Sequence, residues 1–212
     1  MVVEKARDAD RSDPAVTHTF EWAAYGRPCF GERVSGDTAL AVALDSHLVV
    51  VLIDVLGHGA EANDLAKEMA QYVDSHPVTE ALSMIFNLHE RFKGSRGSVG
   101  GCAVLDANSD VVSFAGVGNV SFRILGPSQS VMLPVSPGII GGQMRTPTIH
   151  RVRLQAGELL LGCSDGVAEG FQVDDYPQIF SHGVWAVARS VVRRFGKDHD
   201  DATCLVVRRP NR

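Results

Sequence analysis

At four points in this sequence carboxylates occupy one kind of place: the end of an apolar, strand-like run, beside small or polar residues. Asp37 sits in SGDTALAV and Asp54 ends VVVLID. Asp165 follows LLLGCS in SDGVAEG, and Asp200 and Asp201 precede the last apolar run in KDHDDATCLVV. A carboxylate next to apolar strands is costly unless it is paired or coordinates a cation. If these strand ends converge, they form an oxygen-rich cluster with few Lys or Arg nearby. A hard divalent cation, Mg²⁺ or Mn²⁺, is the natural counterion for such ligands. Each element alone has a plainer reading: an isolated Asp at a strand end is a turn residue, and Asp-Gly is a common turn dipeptide. The weight lies in their order and spacing: GD, D-x-x-G-x-G, SDG, then DDxT.

Holding such a cluster takes a scaffold with several strand ends at one place. From Val16, THTFEWAAYG and DTALAVALD precede a turn at Asp45-Ser46-His47 and the run LVVVLIDV, which read as consecutive antiparallel strands. Ala62, Leu65, Ala66, Met69, Ala70 and Val73 recur at helical intervals and predict a helix from Ala60 to Val73. Gly57 and Gly59 let the chain turn sharply before it. A second helix opens at Pro77 and carries the stripe Val78, Leu82, Ile85 and Phe92. KGSRGSVGG then serves as a loop. Strands follow at CAVLDA, VVSFAGVG, VSFRIL, VMLPV, HRVRLQ and ELLLGCS, with Asn119 supporting a tight turn between two of them. A third helix carries Val184, Val187, Ala188, Val191, Val192 and Phe195, and TCLVVRR closes the chain as a strand. The order predicts an α+β fold with helices over the outer faces of packed antiparallel sheets. It forms one domain over residues 16–212, after a flexible N-terminus at 1–15.

Composition narrows the function classes. A net charge of −5 over 212 residues argues against nucleic acid as a partner, since a phosphate-tracking surface needs excess Lys and Arg. The basic residues near the end, from Arg193 to Arg212, read first as a solvated surface. Cys29, Cys102, Cys163 and Cys204 are widely spaced, and the last three lie in apolar runs where a reduced thiol packs as a small hydrophobe. No signal-peptide pattern opens the chain and no apolar run reaches the length of a membrane span. Together these point to a cytoplasmic protein without membrane attachment. Nothing reads as a heptad or an exposed apolar helix, which favours a monomer.

GD at 36–37, DVLGHGAEA at 54–62, SDGVAEGF at 164–171 and DDAT at 200–203 stand in the order found in the PPM family of metal-dependent protein serine/threonine phosphatases. From about Thr17 to Arg208 the chain resembles that family. Its size and the stretch GVGNVSFRI at 116–124 are similar to the short bacterial branch, including the RsbX-type phosphatases that reset the stressosome, a general-stress signalling complex. The resemblance implies an αββα sandwich of two antiparallel sheets flanked by helices, with two Mn²⁺ or Mg²⁺ ions at one end. By the same resemblance Asp54 would bridge both ions, Asp165 and Asp200 would complete one, and Asp37 with the backbone carbonyl of Val55 would hold the other. Two such ions about 4 Å apart lower the pKa of a shared water and clamp phosphoryl oxygens for in-line attack, so no protein nucleophile is needed. The implied substrates are phosphoserine or phosphothreonine on partner proteins, stressosome components among them.

Two departures stand out: Val55 where the family usually has Gly, and Asp201 where it often has Asn. Val55 is the one support in the sequence for an alternative, a non-catalytic phosphatase-like binding or scaffold module with a degraded metal site. A hydrolase of small phosphoesters is a more distant reading. His58 reads as a structural or exposed histidine near a helix start, or else as a catalytic group that orients water or protonates the leaving serine oxygen. Arg27 and Arg33 are both candidates to hold the substrate phosphate. No CxxxxxR or DxDx[TV] signature of a covalent phosphatase occurs, and Cys29 to Arg33 is too short for a phosphate loop.

Overall fold

The computed structural model describes residues 19–126, 130–171 and 175–211; the expected flexible segment 1–15 lies outside them. The run His47–Val55, strand β3, alternates between two cores. Leu48, Val50 and Leu52 enter a core shared by two sheets, while Val49, Val51, Ile53 and Val55 enter a core covered by helices. A strand apolar on both faces needs cover on both, and the remaining elements supply it.

The described elements are ten strands and four helices. Strands β1 (Glu21–Arg27) and β2 (Asp37–Leu44) precede β3, and helices α1 (Ala60–Ser75) and α2 (Ala81–Arg91) follow it. Then come β4 (Ser98–Asp106), β5 (Val111–Val117), β6 (Ser121–Leu125), β7 (Ser130–Leu133), β8 (His150–Arg153) and β9 (Leu159–Cys163). Helices α3 (Pro177–Phe180) and α4 (Val184–Phe195) lead to β10 (Ala202–Arg208). One sheet has the order β1-β10-β9-β6-β7, the other β2-β3-β4-β5-β8, and every pairing is antiparallel. Phe114 and Phe122 meet between the sheets with ring centroids 4.7 Å apart. Helices α1 and α2 pack on the second sheet through Ala66, Met69, Met84, Ile85 and Leu88, and α3 and α4 on the first through Ile179, Phe180, Val187 and Val191. This is the expected αββα sandwich.

The second helix starts at Ala81, not Pro77. Glu80 is extended (φ −128°, ψ 115°) and its carboxylate accepts a hydrogen bond from Ser83 Oγ at 2.7 Å, so residues 77–80 form the connector between α1 and α2. The expected loop KGSRGSVGG ends early because β4 begins at Ser98. Its last two glycines, Gly100 and Gly101, serve packing within the strand: a Cβ on Gly101 would stand 2.6 Å from the Phe122 ring and 2.9 Å from that of Phe114. Helix α3 was not foreseen, being a single turn opened by Pro177.

Candidate functional site

Asp37 opens β2 and Asp54 lies one residue before the end of β3, and the two are direct cross-strand partners. Strand alternation puts Asp54 on the face of Leu48, Val50 and Leu52, between the sheets. Asp165 follows the end of β9, Asp200 precedes the start of β10, and these strands pair with Cys163 opposite Cys204. Each sheet therefore contributes the adjacent ends of two antiparallel strands to the same end of the sandwich.

Polar ties join the two sheets there. Ser164 Oγ donates to Asp37 Oδ2 at 2.7 Å and accepts from the Thr203 N–H at 2.9 Å. Asp201 is buried, and its two carboxylate oxygens accept the N–H groups of Cys29 at 2.7 Å and Gly36 at 2.6 Å. Asp200 Oδ1 accepts the Asp201 N–H at 2.9 Å, and Asn119 Nδ2 donates to Asp165 Oδ2 at 2.5 Å. Gly166 is required beside Asp165 because a Cβ there would overlap the Asp201 carbonyl. The SDG and DDAT motifs are thus in backbone contact, although 35 positions separate Asp165 from Asp200.

The electrostatics show that these carboxylates feel one another. Burial, then the charges of Asp37, Asp165, Asp200 and Asp201, push the Asp54 carboxyl up to about 9. Burial also raises Asp37, to about 7; the Ser164 hydroxyl opposes it and the Asp201 charge adds to it. Asp200 is raised by burial and by its neighbour Asp165. None of Asp37, Asp54, Asp165 or Asp200 forms a salt bridge among the described residues. Lys197 comes near but spends its ammonium on the Asp165 backbone carbonyl at 2.6 Å. A set of oxygen donors crowded together without a cationic side chain fits a hard cation. Among the described residues, no three His, Cys, Asp or Glu side chains already surround a common point. The site is a convergence of strand ends and not a finished cage.

Val55 is buried, with its side chain in the helix-covered core and no positive φ. A residue that points away from the carboxylates accommodates a side chain where the family usually has Gly. Gly57 and Gly59 have φ of +83° and +81°, the left-handed region that favours glycine, and Gly59 caps α1. His58, exposed between them, has Nδ1 3.0 Å from Glu32 Oε1.

Arg27 spends its guanidinium on the carbonyls of Pro28 and Lys197 at 3.1 and 2.8 Å. Arg33 is exposed and makes no hydrogen bond or ion pair among the described residues. Sequence reasoning passed over Arg96. It lies against the D-x-x-G-x-G loop, its Nη1 3.3 Å from where a Gly57 Cβ would stand, while Nη2 donates to Glu61 Oε2 at 3.1 Å. The only signal was an Arg among Gly and Ser in KGSRGSVGG. Ser164 was also missed as a tie between sheets, though it stands in the quoted SDG motif.

Two five-stranded antiparallel sheets between helix pairs, with acidic strand ends at one end, define the PPM phosphatase architecture. The sequence profile of Stage II sporulation protein E (SpoIIE) matches residues 45–210. Phosphoserine phosphatase RsbX of Bacillus subtilis (strain 168) is 25% identical over 154 residues, 72% of this chain and 73% of RsbX. A chain solved in work on the bacterial stressosome as a modular system adapted to control secondary messenger signaling superimposes with a TM-score of 0.81 and 26% identity. The superposition covers 89% of this chain and 99% of that one. RsbX in complex with magnesium shares the fold, with a TM-score of 0.75 and 21% identity over 89% of this chain and 94% of that one. The chain belongs to the SpoIIE family of PPM-type phosphatases and is a protein serine/threonine phosphatase.

Proposed function

We propose that the protein hydrolyses phosphoserine or phosphothreonine on stress-signalling partners, stressosome components among them, with a pair of Mn²⁺ or Mg²⁺ ions at the acidic strand ends. The observation that carries this is the meeting of Asp37, Asp54, Asp165 and Asp200 with no salt bridge to any of them among the described residues. The magnesium complex of RsbX supports the choice of ion, and the stressosome-related neighbour supports the choice of partner. Asp54 would bridge the ions, Asp165 and Asp200 would serve one, and Asp37 with the Val55 carbonyl the other. When bound, such ions activate a water and neutralise phosphoryl oxygens.

The chain's own groups orient these ligands. Ser164 fixes the rotation of Asp37, Asn119 that of Asp165, and the Asp201 N–H that of Asp200. Arg96 is the cation best placed to meet a phosphoryl group that passes Gly57. Glu32 holds His58 by Nδ1, which leaves Nε2 free; when both ring nitrogens carry protons, Nε2–H would deliver one to the departing seryl oxygen. The binding-module alternative rested on Val55; its side chain packs in the helix-covered core, which supports the catalytic reading. We also read residues 16–212 as one folding unit, monomeric and cytoplasmic; four buried, unpaired thiols accord with a reducing compartment. No described helix is long and apolar enough to cross a membrane.

The test is incubation with phosphorylated stressosome proteins and Mn²⁺, followed by intact mass. Stepwise loss of phosphate is expected from at least one of them. Unchanged masses for all, under conditions where the enzyme cleaves a phosphoserine peptide, would remove the stressosome assignment.

A further inference from the structure

The β1–β2 loop presents a feature that the metal chemistry does not use. Phe30 is 91% exposed, an unusual state for an aromatic ring on a well-anchored segment. Residues 29–32 form a hydrogen-bonded turn in which the Glu32 N–H donates to the Cys29 carbonyl at 3.2 Å, and Gly31 at the third position has φ +95°. The turn is clamped on both sides. On one side the Phe30 N–H donates to the Asp198 carbonyl at 2.7 Å and the Cys29 N–H to Asp201 Oδ1, so the turn sits on the loop that carries Asp200. On the other, Glu32 meets His58 in the loop that follows Asp54. Phe30 therefore stands on the rim between two ligand-bearing loops, held by backbone bonds with its ring in solvent.

We propose that Phe30 is a substrate-recognition residue: it packs against an apolar side chain flanking the phosphorylated Ser or Thr of a protein substrate while the phosphoryl group occupies the carboxylate site. This rests on the phosphatase reading above. The turn is tied to the loop before β10 and to the loop after Asp54, so a segment that enters between these two loops passes beside it. Arg33, exposed and unpaired among the described residues, lies three residues further along the same loop and complements the negative charge of a phosphorylated segment. A rigid ring loses little conformational freedom on binding, and aromatic anchors of this kind dominate many interfaces.

The experiment compares wild type with Phe30→Ala on phosphoserine peptides that carry Leu at one flanking position at a time in a Gly/Ser background, and on p-nitrophenyl phosphate, all with Mn²⁺. Wild type is expected to favour one or more Leu-bearing peptides about tenfold in kcat/KM, the scale of a partly buried side chain. Phe30→Ala is expected to erase that preference and leave p-nitrophenyl phosphate turnover and Tm unchanged, and Phe30→Leu to restore part of it. Normal p-nitrophenyl phosphate turnover with no Leu preference in wild type, or a preference that survives in Phe30→Ala, overturns the assignment while the phosphatase reading stands. No Mn²⁺-dependent turnover of any substrate by wild type overturns both.

Discussion

With metal chelated, Asp54 keeps its proton up to about pH 9, whereas in an unfolded chain an Asp ionises near pH 3.9. Burial is the main cause, followed by the surrounding carboxylates, led by Asp37. As pH rises above about 4, the unfolded state sheds this proton first. The chelated protein therefore loses stability progressively from there towards pH 9. Asp54→Asn is neutral at every pH and nearly constant in shape, so the variant folds without having to take up a proton at this position. In chelator at pH 8 it should be more stable than wild type by about 1–3 kcal/mol, with the advantage shrinking at pH 5. Scanning calorimetry at the two pH values checks this; a variant less stable than wild type at pH 8 would contradict it. Asp201 shows how a neighbour differs in role. It accepts two backbone N–H groups with two oxygens, a task an Asn carbonyl oxygen could only half perform. Its departure from the family's usual Asn is thereby explained, and Asp200 is left as the outward carboxylate.

At the scale of elements, the β9–β10 pair places half the site, and its tightest contact is Gly166 against the Asp201 carbonyl. Gly166→Ala would push the DDAT backbone off the SDG turn. A loss of about 2–3 kcal/mol in urea unfolding is expected, together with reduced activity because Asp200 moves. Unchanged unfolding would mean that the two loops are not in contact. Apolar periodicity made β3, α1 and α4 legible in the sequence, since each has a full stripe or alternation to bury. It misread Gly100 and Gly101 as loop formers because the reason for glycine there is the approach of Phe114, Phe122 and the Leu52 carbonyl, all distant in sequence. Pro77 suggested a helix start for a similar reason: a proline also suits the connector it occupies.

At the scale of the whole molecule, closing two sheets face to face decides what the site can be. Asp37 and Asp54 were recognisable singly, and their position opposite each other followed from two adjacent strands. Their meeting with Asp165 and Asp200 depends on the packing of one sheet on the other and on the Ser164–Asp37 tie, which no local pattern announces. Arg96 stayed hidden because a loop from beyond α2 returns to the glycines after Asp54, where the Leu56 N–H donates to the Gly97 carbonyl at 3.1 Å. The central claim concerns this assembled end and the ions it would hold. Its most direct test is phosphate release from a phosphoserine peptide by chelator-treated protein titrated with Mn²⁺, wild type beside Asp54→Asn. The account predicts no release before metal, saturable recovery in wild type, and at least about a thousandfold lower rate in Asp54→Asn at every Mn²⁺ concentration. Full turnover without metal, or wild-type recovery in Asp54→Asn, would contradict it.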